Sequence, residues 1–271
     1  MANPPPSFGS PVEADPMAKR QMIVQKYAVP MYRKPTGKEL RSVAPDESWV
    51  NSYRNFLERG NSGIFKLLPD RGCAESSKVV NASEVCLKYT MPGAGNSYSF
   101  RTETYRIKHL ADLTYSGGNF LITGVLMQGF MTDLGDVPID GVNLDTQQIA
   151  VLRSFDPVVD FQKAEEVDRV FTAGLLKNGL LYRRSLPAIA DHTYAMRAVA
   201  YQGKIMRSVE GADYNELDFD KRRDIIVVFR VAGISTDGAA TIVWTKLASI
   251  YSPKLKLPPK KSPDQLAENK K

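Results

Sequence analysis

Groups that titrate near neutral pH are scarce in this chain. It has two histidines, His109 and His192, and two cysteines, Cys73 and Cys86. His192 follows Asp191, and an Asp-His pair joined by a distant serine or cysteine would give the activated nucleophile of a hydrolase. No Gly-x-Ser-x-Gly elbow accompanies it. His109 stands beside Lys108 in a strand-like pattern. Both imidazoles therefore read as hydrogen-bonded or surface histidines, and no catalytic residue is assigned. A hydrolase-type centre around Asp191 and His192 is kept as the enzymatic alternative.

Cys73 and Cys86 are separated by twelve residues of largely polar chain. Neither histidine is near them, and structural zinc usually takes four ligands, so a zinc site is disfavoured. A disulfide closing this loop would stabilise by roughly 3 kcal/mol in the chain-entropy picture, and it predicts an extracytoplasmic location, periplasmic or secreted. The opening residues, MANPPPSFGSPVEADP, lack a basic segment followed by an apolar one. That fits a cytoplasmic protein, the alternative location, or a mature exported chain.

Three further patterns could carry chemistry. Pro92-Gly93-Ala94-Gly95-Asn96-Ser97 is glycine-rich but lacks the Gly-Lys-Ser/Thr ending of a phosphate loop and leads into a strand pattern. It reads as a structural turn. Glu216, Asp218, Asp220 and Asp224 are spaced as ligands for a hard cation could be. Lys221, Arg222 and Arg223 among them favour a solvated, salt-bridged turn. Tyr89, Tyr98, Tyr105, Tyr115, Tyr182, Tyr194 and Tyr201 fall on predicted strands, where they could stack bases or sugars or simply fit half-buried β surfaces; the second is favoured. No cofactor or metal is implied.

These residues must be positioned by strands more than by helices. Residues 1–45 hold eight of the seventeen prolines and seven Lys/Arg against three acids, and read as a flexible or extended basic arm. Pro45-Asp46 begins a helix whose face is Trp49, Val50, Tyr53, Phe56 and Leu57. Short apolar runs then follow, separated by Pro92-Gly93, Gly117-Gly118 and Thr236-Asp237-Gly238 turns. They include Ile149–Phe155, Thr193–Tyr201 and Lys204–Val209, the last two joined at Gln202-Gly203. A second helix starts at Asp160, carries Phe161, Ala164, Val167, Phe171 and Leu175 on one face, and ends at Asn178-Gly179. Tyr105–Ala111 and Tyr194–Ala200 are loosely similar, a weak hint of duplication. Residues 253–271, with six lysines, read as an unstructured tail.

The fold expected is α+β: mainly antiparallel sheet with two main helices in a domain over 46–252, between an arm over 1–45 and a tail over 253–271. Both ends carry a net +4, so the rest of the +6 chain is slightly acidic, at −2. That disfavours nucleic-acid binding by the folded part. The function expected is that of a non-catalytic binding or structural protein. Its basic ends, with Lys254, Lys256, Lys260 and Lys261 as tail contacts, would engage a protein assembly or an anionic surface. Tail-mediated nucleic-acid binding is the remaining alternative.

Overall fold

A computed structural model describes residues 15–70 and 90–256. Cys73, Cys86, Tyr89, Lys260 and Lys261 lie outside the described residues. The architecture is α+β with antiparallel sheets. The strands are β1 Ser62–Leu67, β2 Ser97–Ser99, β3 Thr104–Tyr105, β4 Leu113–Ser116, β5 Asn119–Ile122, β6 Met127–Asp133, β7 Leu175–Lys177, β8 Leu180–Arg183, β9 Ser185–Pro187, β10 Thr193–Ala200, β11 Met206–Val209, β12 Ala212–Asn215, β13 Arg223–Ile234 and β14 Ala240–Tyr251. The helices are α1 Pro16–Ile23, α2 Gly37–Ser42, α3 Glu47–Ser52, α4 Arg54–Leu57, α5 Ala150–Ser154 and α6 Phe161–Ala173.

Seven strands form the central sheet in the order β1-β14-β13-β10-β6-β8-β7, and five form a second sheet in the order β3-β2-β4-β5-β9. Strands β10 and β13 explain why. Alternate side chains of a strand face opposite ways. Tyr194, Met196, Ala198 and Ala200, with Ile225, Val227, Phe229 and Val231, face the second sheet and pack on Phe100, Leu113, Phe120 and Ile122. Ala195 and Val228 face the other way, onto Phe56, Ile149, Leu152 and Phe171 from the helical layer. Phe229 sits among the rings of Phe100, Phe120 and Tyr194.

Several local expectations need correction. The helix from Asp46 is broken into α3 and α4 at Tyr53, where the Ser52 hydroxyl donates back to the Ser48 carbonyl at 2.8 Å, a bond that bends helices. Ile149–Phe155 is not a strand; its apolar residues lie on a 3₁₀ turn and α5, because a short apolar run fits a buried helix equally well. Helix α6 is capped by the Asp160 side chain, which accepts from Lys163 N, but it stops at Gly174. Asn178-Gly179, with φ of 54° and 78°, instead turns the β7–β8 hairpin. Gln202-Gly203 does not join a hairpin either. Strand β10 is already paired on both edges, and β11 pairs β12 through Glu210-Gly211. Tyr105–Leu110 holds only the last residue of β3 and then a 3₁₀ turn over Lys108–Leu110, which removes the likeness to Tyr194–Ala200.

The ends differ too. Residues 16–32 are helical, not extended: Asp15 caps α1, Pro16 opens it, and a π turn and a 3₁₀ turn continue to Tyr32. At the other end, residues 253–256 lie along the fold. Gln202 N donates to Pro253 O at 2.9 Å and Lys256 N to Val159 O at 2.7 Å, while Leu255 is buried beside Ala164 and Tyr201. No helix among the described residues is long and apolar enough to cross a membrane.

Candidate functional site

The charged turn before β13 is salt-bridged, but only part of it is solvated: Asp218 and Lys221 are exposed, while its ion-paired side chains are not. Arg101, Asp112 and Arg222 are buried, and the side chain of Asp220 is closed off from solvent among them. Arg101 holds Asp112 on one side and Asp220 on the other, and Arg222 donates to Asp220 at 2.7 Å. These two guanidiniums hold the Asp220 carboxyl below its ordinary range against the opposing effect of burial. Arg222 also reaches the carbonyls of Tyr201, Val125 and Leu126. A cation therefore satisfies the ends of segments that have no ladder of their own. Among the described residues no group of carboxylates, histidines or thiols is arranged to hold a metal ion.

This cluster supports a corner built from three stretches distant in sequence. The first is the arm. Arg20 donates to the Asp213 carbonyl at 2.8 and 3.0 Å, and Arg106 to the Tyr32 carbonyl at 3.0 Å. The second is the 3₁₀ turn that carries Lys108 and His109. The third is the β11–β12 hairpin and the turn Glu216–Phe219. Asn215 organises that turn, its side chain accepting from Ile205 N at 2.8 Å and Leu217 N at 3.3 Å. Tyr32 stacks on Phe219, with centroids 4.5 Å apart, and Tyr214 meets both rings edge-on.

Between the three stretches lies a cleft of about 480 Å³, within the size range of small-molecule sites. Its apolar lining is Pro30, Met31, Met91, Pro92 and Ile107. Its polar lining is ordered. Glu216 is only 2% exposed and accepts from Arg207 Nε at 2.9 Å, and its other oxygen lies 3.3 Å from His109 Nδ1. The Tyr32 and Tyr214 hydroxyls are 3.1 Å apart. Burial, then the Tyr214 hydroxyl, pushes the Tyr32 phenol well above its ordinary range, so it stays protonated. The Glu216 carboxylate raises Arg207 further, fixing its charge. The His109 side chain is 60% exposed, so its imidazole is oriented by a buried acid while its other face meets solvent.

Of the residues whose types suggested chemistry, the structure brings together His109 and Glu216. His109 lines the cleft. His192 lies elsewhere, with Nδ1 2.9 Å from Asp133, which ties the loop before β10 to the end of β6. Asp191 lies 3.7 Å from Arg230. No hydroxyl or thiol among the described residues hydrogen-bonds His192, so the expected nucleophilic arrangement is not assembled. Tyr98, Tyr105, Tyr115, Tyr182, Tyr194 and Tyr201 are buried and form no stacking platform. Pro92-Gly93-Ala94-Gly95 is likewise buried, packed against Leu68 and the Arg106 carbonyl. Lys254 and Lys256 are exposed on either side of the buried Leu255.

Sequence reasoning missed Tyr32, Arg207, Tyr214 and the role of Glu216. The nine-residue spacing of Arg207 and Glu216 carries no motif, and only tertiary packing brings His109 to them. No protein-family model matches the chain, and no curated protein or solved structure is detectably similar to it.

Proposed function

We propose that the protein is a non-catalytic binding protein whose ligand occupies the cleft between the N-terminal arm, the Lys108–Leu110 turn and the β11–β12 hairpin. One observation carries this reading. The cleft is apolar on one side, and on the other its acid, imidazole, guanidinium and phenols are already bonded to one another, which is the preorganisation a binding site needs. The two histidines give a direct test. Diethyl pyrocarbonate acylates exposed imidazoles, and peptide mass spectrometry separates His109 from His192. A small organic molecule selected by thermal shift should slow acylation of His109 several-fold and leave His192 unchanged. Ligands that stabilise the protein without shielding His109 would defeat the proposal.

The alternation of exposed Lys254 and Lys256 about buried Leu255 supports a second reading, in which the basic C-terminal segment contacts an anionic surface or assembly. Removing residues 257–271 and replacing Lys254 and Lys256 by glutamine should then abolish salt-dependent binding to anionic vesicles. Unchanged binding would reject it.

A further inference from the structure

We infer that the ligand of the cleft is an amphiphilic monocarboxylate, an organic acid with a single anionic head and an apolar body. The inference rests on the cleft being a binding site and adds its chemical class. Charge at the cleft decides the head group. Arg33 lines the cleft but is committed to Glu39, at 2.6 and 2.8 Å. Glu216 offsets one of the two remaining cations, Lys108 and Arg207. One positive charge is thus left facing the space, which matches a monoanion and undershoots a dianionic phosphoryl group. Geometry agrees. Arg207 spends only its Nε on Glu216. Its two terminal amino groups make no hydrogen bond among the described residues and can present paired N–H donors to a carboxylate. Lys108 makes no ion pair among the described residues, and it lines the same space.

The rest of the lining decides the body. Met31 and Ile107, the partly exposed aliphatic side chains of the lining, offer no hydrogen bond to a polyol or a peptide backbone, and the methionine adapts to a flexible chain, with Met91 backing them from the core. Burying a ligand's methylenes there strengthens binding with each one added. The carboxylate is held where Glu216 has already fixed Arg207.

Isothermal titration of the full-length protein with octanoate, 1-octanol, octylammonium and inorganic phosphate separates the possibilities. Octanoate is expected to bind at least tenfold more tightly than 1-octanol, to weaken as salt rises, and to shield His109 from diethyl pyrocarbonate. Lys108→Gln, a change at an exposed side chain, should cost octanoate a further three- to tenfold and leave 1-octanol unaffected. Equal or tighter binding of 1-octanol or octylammonium, with His109 shielded, would overturn the charge assignment alone. Tighter binding of phosphate than octanoate would likewise overturn it. Failure of all three eight-carbon probes to bind or to shield His109 would remove the cleft reading as well.

Discussion

The central sandwich and the arm–hairpin corner are held by different physics. In the sandwich, β6, β10 and β13 alternate apolar side chains to two faces, and buried area supplies the stability. In the corner a smaller apolar cluster around Tyr32, Leu110 and Leu217 is braced by buried arginines that reach carboxylates and stray carbonyls. A sandwich made of area is tolerant and cooperative. A corner made of paired charges depends on each partner, because a buried charge without its counterion is costly. It is also the kind of region that opens on its own, which suits a cleft whose walls come from separate segments.

The largest effect should come from the sandwich. Phe229→Ala removes a ring packed between Phe120 and Tyr194 at 5.2 and 5.1 Å, and about 3–5 kcal/mol of stability should go with it. Trp49 and Trp244, the only tryptophans, both pack in the two sandwich cores, so urea unfolding followed by tryptophan emission reads the loss directly. A midpoint shift worth less than about 1 kcal/mol would mean that the ring cluster does not carry the core.

Asp220→Asn tests the other half of the comparison. It leaves Arg101 and Arg222 buried with only Asp112 to balance them, at a cost of about 3 kcal/mol. Here the loss should be local. Hydrogen exchange over residues 205–219 should speed up by an order of magnitude or more, while the tryptophan transition moves less than in Phe229→Ala. If both probes move together, the corner and the sandwich form one cooperative unit.

Legibility followed the same division. Strands such as β13 and β14, either side of the Thr236-Asp237-Gly238 turn, could be read because a short, nearly continuous apolar run bounded by a turn signal is written in consecutive residues. The corner could not. Asp220 and Arg222 look like a solvated turn until Arg101, more than a hundred positions away, is placed against them. His109 gains its meaning from Glu216 only after the arm, the turn and the hairpin have met. Proline content misled at the arm because Pro16 sits where a helix begins, where proline costs nothing, and not inside one.

A pH titration would sharpen the contrast at smaller scale. Hydrogen bonds from Arg33 and from Thr36 hold the Glu39 carboxyl down at about 2 despite partial burial. Its folded value lies below its unfolded one, so the stability it contributes is complete above the ordinary glutamate range, near 4.3. That contribution is lost as pH falls towards 2. Glu39→Gln should therefore destabilise helix α2 and the arm by on the order of 1–2 kcal/mol at pH 7. The gap between variant and wild type should close below pH 3, as read by exchange over residues 33–45. A gap that stays constant with pH would assign the effect to poorer hydrogen-bond geometry of the amide and not to the charge.

The smallest expected effect lies at the seam between the two regions. Pro92–Gly95 lies under the cleft and against the sandwich, and three consecutive residues there are left-handed: Gly93, Ala94 and Gly95, with φ of 71°, 47° and 70°. Glycine adopts this conformation freely, whereas alanine is held there at a cost of about 1–2 kcal/mol. Ala94→Gly removes that strain but gives the unfolded chain more freedom and gives up one buried methyl. The net gain should be no more than about 0.5–1 kcal/mol. Its sign is the informative part. A higher tryptophan-monitored midpoint would mean that the strain is borne by the sandwich. Slower exchange over 205–219 with an unchanged midpoint would place it in the corner, stored beneath the cleft. A less stable protein would mean that the Ala94 methyl, packed with Met91 and Leu68 in the core, is worth more than the strain of holding it there.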